Sequence, residues 1–180
     1  MRLILVRHPQ PDIAPGLCYG RTDVAASTVA LSLVTGKLRE AGLPGALPVY
    51  ASPLARCAVL GGALGVPVTL DARLAEMDFG AWEMRSWEAI SRTEVDAWAA
   101  DLLHYRPGGG ENVLEVARRV AAFRDELRAS SLPAALLICH AGTIRLLCSL
   151  HAGGGLEQAT LRAASSAHRI AYGEVIELKD

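Results

Sequence analysis

The chain has little of several things. Aromatic side chains make up 5% of its 180 residues, cysteines number 4, and the net charge is −1. With no excess of either sign, nothing points to nucleic acid or an anionic membrane as a general partner. Any affinity for anions must come from a local cluster of arginines. No apolar run approaches the length of a bilayer span, and the one after Met1-Arg2 is too short for a signal peptide, so a cytoplasmic protein without membrane contact is expected. Cys18, Cys57, Cys139 and Cys148 have neither metal-ligand spacing nor the density of a disulfide scaffold. Cys139 and Cys148 stand among apolar residues and read as small core side chains, whereas Cys18 lies in a polar loop and reads as exposed. Cys139 precedes His140, but successive strand residues face opposite ways, which argues against a Cys–His pair. Also missing are a glycine-rich phosphate loop ending in Lys-Ser/Thr and a cluster of carboxylates fit to hold a metal. No metal and no cofactor are expected. Repeats, low-complexity tracts and interdomain linkers are absent too, so residues 1–180 read as a single domain.

What is present is a globular composition, 51% hydrophobic and 21% charged, in a chain long enough to bury a substantial core. Strand-like stretches over 2–7, 48–51, 66–70 and 134–139 alternate with helix-like stretches over 28–42, 53–64, 86–104, 113–129 and 143–151. Such alternation predicts an α/β fold, a three-layer α/β/α sandwich with a mainly parallel central sheet. The tail over 170–178 alternates imperfectly and adds one or two edge strands, their direction left open by the pattern. Ser52-Pro53 reads as an N-cap followed by proline at the first helical position, and Asn112 with Glu115 as a capping box. Trp87, Ile90, Val95, Trp98 and Leu102 recur at helical spacing and suggest packing into the core. Pro107-Gly108-Gly109-Gly110 reads as a tight structural turn.

Two of the strands end alike. Leu3-Ile4-Leu5-Val6 runs into Arg7-His8-Pro9, and Ala134-Ala135-Leu136-Leu137-Ile138-Cys139 runs into His140-Ala141-Gly142-Thr143. Unbroken apolar runs are strands buried on both faces of a parallel sheet, and such sheets receive ligands at the carboxyl ends of their strands. A lone Arg-His pair would be a strand capped by solvated polar residues. Two histidines at the same kind of edge are a more specific arrangement. A neutral imidazole can attack phosphorus and form a covalent intermediate, and a guanidinium fork matches two phosphate oxygens while staying charged. Arg56 joins them from the first turn of the helix after Val49-Tyr50-Ala51. His140 heads another helix, whose free N–H groups and positive dipole end favour an anion.

Four separated motifs, Arg7-His8, Ser52-Pro53-Leu54-Ala55-Arg56, Leu74-Ala75-Glu76 with Phe79-Gly80-Ala81-Trp82-Glu83, and His140-Ala141-Gly142, resemble in order and spacing the histidine phosphatase superfamily, the phosphoglycerate-mutase-like proteins. The resemblance implies a metal-independent phosphatase acting on a small-molecule phosphomonoester through a phosphohistidine. It implies His8 as the phosphorylated nucleophile, Arg7, Arg56 and His140 as phosphate-binding groups, and Glu76 as proton carrier, with Glu83, Asp78 and Glu111 as alternatives to Glu76. Pro9 and the loop Cys18-Tyr19-Gly20-Arg21-Thr22-Asp23-Val24 resemble the α-ribazole phosphatase branch. That implies α-ribazole 5′-phosphate, or its cobamide-linked form in cobalamin nucleotide-loop assembly, as substrate and Arg21 as a substrate-binding residue. A general small-molecule phosphatase is the second reading and a phosphoglycerate mutase the third. A non-catalytic phospho-ligand-binding domain comes last, since none of the chemical residues is missing. Met84 stands where the family usually has glycine after Trp-Glu, and Leu60 where it often has threonine. Both are expected to alter the pocket's walls and not its chemistry.

Overall fold

The apolar runs assemble into one five-stranded sheet in the computed structural model, which describes residues 1–167 and 169–179. β1 (Arg2–Arg7) lies between β4 (Ala134–Cys139) and β5 (Val175–Lys179); β2 (Val49–Ala51) flanks β4, and β3 (Val68–Leu70) forms the far edge. All pairings are parallel except that of β5 with β1. The tail thus closes one edge as a single antiparallel strand.

All 6 residues of β4 are buried, and β1 is buried from Leu3 to Val6. Alternate side chains feed opposite layers. Leu3, Leu5, Leu137 and Cys139 pack with α4 (Val113–Ala129), α5 (Ala141–His151) and α6 (Leu156–Ser165). Ile4, Val6, Leu136 and Ile138 pack with α1 (Thr28–Glu40) and α2 (Ala55–Ala63) on the other face. This is the expected three-layer architecture. Truncating a fully buried leucine such as Leu5 or Leu137 to alanine costs about 2–5 kcal/mol in cores of this kind.

Local chemistry explains where the expected elements hold and where they change. The capping box of Asn112 and Glu115 forms at the start of α4. Ser52 is not the N-cap of α2: that helix begins at Ala55, Leu54 is its capping residue, and no side chain caps it. The expected helix over 86–104 breaks into a 3-10 turn, Trp87–Ala89, and α3 (Arg92–Ala100). Ser86 caps the first by accepting the Glu88 N–H, and the extended Ile90 and Ser91, with ψ of 132° and 130°, separate the two. The α6 helix has no counterpart in the sequence reading, because it starts after Gly153-Gly154-Gly155 without a side-chain cap. The Pro107–Gly109 turn lays backbone on backbone: a Cβ on Gly108, whose φ is +58°, would sit 2.2 Å from Phe79 O. Cys18 is fully buried rather than exposed, packed with Trp82 and Ile90. Its backbone exchanges hydrogen bonds with Met84 and Arg85, which draws the polar loop inward.

Candidate active site

β1 and β4 end in register, and β2 ends one step short of them. Arg7 pairs with Cys139 and Ala51 with Ile138, so the next residues, His8, Ser52 and His140, emerge together at the carboxyl edge of the sheet. The ladder continues one step past the strands: His8 N donates to Cys139 O and Ser52 N to Ile138 O, each at 3.0 Å.

His8 is 2% exposed, and its Nδ1 lies 2.7 Å from Pro9 O. A carbonyl only accepts, so Nδ1 carries a proton; in a neutral ring Nε2 then holds the lone pair. Burial lowers the His8 pKa to about 3; the Pro9 bond opposes this and the charges of Arg56 and Arg7 add to it. The imidazole is therefore neutral at physiological pH. His140 is fully buried with its ring centroid 5.1 Å from that of His8. Burial first, and then the His8, Arg56, Arg119 and Arg7 charges, hold its pKa well below the usual value. Its Nε2 lies 2.8 Å from Ser52 Oγ, which explains why Ser52 serves this histidine instead of capping α2. Ser52 is a site residue that the sequence reading assigned to a helix cap.

Two arginines flank the histidines. Arg56 is fully buried, with Nη1 donating to Thr22 O at 2.9 Å and Nη2 to Gly20 O. Arg7 donates from Nη1 to Ile170 O at 2.6 Å and lies 3.8 Å over the Tyr172 ring. Both side chains line the central cavity, and the Nε of each is buried without a hydrogen-bond partner. Two cationic forks thus retain donors in a pocket that disfavours unpaired polar groups, which suits an oxyanion.

Glu76 follows the 3-10 turn Ala72–Leu74. Its Oε1 accepts from Met77 N and its Oε2 from Gly142 N in the first turn of α5, both at 3.1 Å. The N–H of Gly142, expected to face an anion directly, thus holds a carboxylate. Arg119 of α4 donates to the carbonyls of Arg73, Ala75 and Glu76, which fixes the backbone of this loop. A Cβ on Gly142 would lie 2.4 Å from Glu76 Oε1, so glycine is what leaves the carboxylate room. Among the described residues Glu76 is the one carboxylate lining the cavity.

The alternatives to Glu76 have other work. Glu83 accepts the N–H groups of Gly20, Arg21, Thr22 and Phe79 and the Thr22 hydroxyl, tying down the loop whose carbonyls hold Arg56. Burial alone would raise its pKa, but the bonds from Thr22, Gly20, Phe79 and Arg21 lower it overall. Glu111 pairs with Arg119, and Asp78 accepts the Gly80 N–H. Arg21, expected at the substrate, lies outside the cavity lining: its side chain is 61% exposed, with Nη1 3.9 Å from Asp78. Glu83 holds the Arg21 N–H, and Tyr19 lines the cavity instead. The Tyr19 and Tyr172 hydroxyls lie 2.9 Å apart. Tyr172 belongs to the tail just before β5, where no sequence motif announced it.

The cavity encloses about 590 Å³. Away from the charged floor it is walled by Phe79, Trp87, Val95, Trp98, Leu102 and Val113. The helical spacing of these tryptophans suggests core packing; Trp98 packs with Val95 against Trp82 and Ile90, and both Trp87 and Trp98 also line the cavity. Neither family departure reaches the walls. Leu60 is fully buried in the layer of α1 and α2, and Met84 is 46% exposed with φ of 64°, a left-handed conformation that glycine adopts freely.

A family model described as the histidine phosphatase superfamily (branch 1) matches residues 3–170. The chain belongs to the histidine phosphatase superfamily. It is similar to a glucosyl-3-phosphoglycerate phosphatase of Mycolicibacterium vanbaalenii, 28% identical over 81% of this chain and 72% of that protein. A bifunctional protein of Mycobacterium tuberculosis is 31% identical over 86% of this chain, which spans only 46% of that protein. Among solved structures, the α-ribazole phosphatase of Shigella flexneri superposes with a TM-score of 0.84, covering 99% of this chain and 90% of that one at 23% identity. The last likeness concerns the fold. No helix among the chain's described residues is long and apolar enough to cross a membrane.

Proposed function

We propose that this histidine phosphatase hydrolyses phosphomonoesters through a phosphohistidine on His8 Nε2, without a metal. The observation that carries the reading is the His8 Nδ1–H bond to Pro9 O in a neutral ring, which leaves an Nε2 lone pair beside Arg7, Arg56 and His140. In the first step that lone pair forms the P–N bond while the P–O bond to the leaving alcohol breaks. Glu76 delivers a proton to the departing oxygen. In the second step water attacks phosphorus, its proton returns to Glu76, and the P–N bond breaks to release phosphate and the free imidazole. Arg7, Arg56 and His140 bear the charge on the equatorial oxygens, a task that metal ions perform in other phosphoryl-transfer sites.

For the substrate we propose α-ribazole 5′-phosphate, on the strength of Pro9 and the loop that places Tyr19 in the cavity. Arg21 has no part in this proposal. A broader activity on small phosphomonoesters is the second reading, favoured by the relative that is named for a glucosyl-3-phosphoglycerate substrate. The test is an acid quench of enzyme with labelled substrate. Acid-labile, base-stable phosphate should appear on the wild type and vanish in His8→Ala, while activity survives EDTA. Normal turnover in His8→Ala, or rescue of EDTA-treated enzyme by magnesium, defeats the reading.

A further inference from the structure

The cavity lining is of two kinds. Besides the arginines and histidines it includes Phe79, Trp87 and Trp98. The chain has only 3 tryptophans, and Trp82 backs the other two from full burial, its ring centroid 6.2 Å from Trp87 and 5.8 Å from Trp98. Phe79 meets the same two rings edge-on at 6.1 and 6.0 Å. Trp82 Nε1 donates to Glu94 Oε1 at 3.1 Å, which fixes the backing ring. All the tryptophan of an aromatic-poor chain is gathered at one wall.

Core packing accounts for part of it: Ile90 is buried with Cys18 and Trp82, and Val95 and Trp98 pack against them. Trp87 remains 41% exposed, and none of the residues of α3 is buried. Polar partners for hydroxyls or carboxylates are few: among the described residues the cavity lining contains no Ser, Thr, Asn, Gln or Lys, and the hydroxyls of Tyr19 and Tyr172 lie 2.9 Å apart. Among the described lining residues the one arginine outside the phosphate clamp, Arg145, points Nη2 at the carbonyls of Ala163 and Ser166 at the end of α6; its Nε and the Nε1 of Trp98 are buried without a partner. A sugar or glycerate leaving group would lose water there and find few replacements, whereas a flat apolar ring would find edges and faces of other rings. At about 590 Å³ the cavity has room for such a ring beside a phosphate.

We propose that the wall of Trp87 and Trp98 binds the leaving group and selects phosphomonoesters whose alcohol carries a flat apolar ring, over glycerate phosphates and sugar phosphates that carry no such ring. The proposal rests on the floor being the phosphate site. Its test compares benzyl phosphate with glycerol 3-phosphate, both esters of primary alcohols, in wild type, Trp87→Ala and Trp87→Phe. The kcat/KM ratio should favour the benzyl ester by at least about tenfold, chiefly through KM. It should collapse in Trp87→Ala and largely return in Trp87→Phe. Because Trp87 is half exposed, its replacement should leave the melting transition in place.

A second measurement separates this proposal from the hydrolytic one. Benzylphosphonate has no ester to cleave and should bind, by tryptophan fluorescence, about tenfold tighter than methylphosphonate. Equal kcat/KM for the two esters, or an equal loss on both in Trp87→Ala, overturns the wall proposal while the phosphatase reading stands. If neither ester turns over but benzylphosphonate still binds better and Trp87→Ala weakens it, the wall stands and the hydrolytic reading falls.

Discussion

At the floor of the cavity His8 and Ser52 are fixed by main-chain bonds that carry the sheet one residue past its strands, and Ser52 in turn holds the ring of His140. At the wall Trp87 and Trp98 are fixed by rings packed on rings. Main-chain bonds tolerate little displacement; ring packing allows tilts and exchanges. Chemistry needs atoms placed to a fraction of an ångström, and strand ends supply this better than loops. Recognition of a leaving group tolerates an adjustable surface. One cavity thus joins a rigid half to an adaptable half, and floor variants should move kcat where wall variants move KM.

The strongest test of that contrast is Glu76→Gln, which keeps the shape and removes the proton. Losses of ~10²–10⁴-fold in kcat are expected on an alkyl ester, and much smaller ones on p-nitrophenyl phosphate, whose phenolate departs unaided. Equal losses on both would show that Glu76 supports structure and moves no proton.

Gly142→Ala probes the same group without touching it. A Cβ 2.4 Å from Oε1 must push the carboxylate aside, with an expected loss of roughly 10²-fold in kcat at nearly unchanged KM. Wild-type turnover in this variant would mean that the floor yields as readily as the wall.

A third prediction uses pH, since the floor titrates and the wall does not. Unfolded His8 takes up a proton below its ordinary 6.5, but the folded protein refuses it until about 3. The unfolded state then binds more protons, so His8 contributes stability fully above pH 6.5 and loses it as pH falls toward 3. The slope is about 1.4 kcal/mol per pH unit for each such histidine. Denaturant melts should show that His8→Asn loses less stability than wild type between pH 6.5 and 4.5, whereas Trp87→Ala keeps the wild-type slope. Parallel curves for wild type and His8→Asn would refute the burial argument.

The smallest effect concerns Met84, held at φ 64° away from both halves. Met84→Gly removes left-handed strain and adds unfolded-state freedom, for a net change of about 1 kcal/mol or less and no change in kcat. A shift in substrate preference would place this turn in the wall after all.

The contrast also decides what could be read from the sequence. His8 and His140 were legible because an unbroken apolar run has one interpretation, a buried strand, and its end has one location. Arg56 and Glu76 were legible through motif order. Ser52 and Trp87 depart from their sequence readings for the same reason: Ser-Pro and a helical tryptophan spacing each have a common local meaning that tertiary contacts override, while Ile90, Val95 and Trp98 pack as that spacing implies. Ser52 is taken by His140, and the extended Ile90 and Ser91 separate the turn of Trp87 from α3. For Arg21 a loop resemblance carries no direction for a side chain; its guanidinium faces Asp78, outside the cavity lining. Tyr172 had no signal, since it meets His8 only through the pairing of β5 with β1.

That pairing has a kinetic consequence. Arg7 donates to Ile170 O from Nη1 and to Glu174 O from its main-chain N–H, its carbonyl accepts the Gly173 N–H, and the Tyr172 ring stacks under its guanidinium. A refolding chain can form the helices and the parallel part of the sheet while Arg7 still swings free. Contacts this distant in sequence form late. Recovery of activity should therefore trail recovery of the helical signal. In the folded protein, fraying of this one edge strand would silence the catalyst while most of the sheet stayed intact.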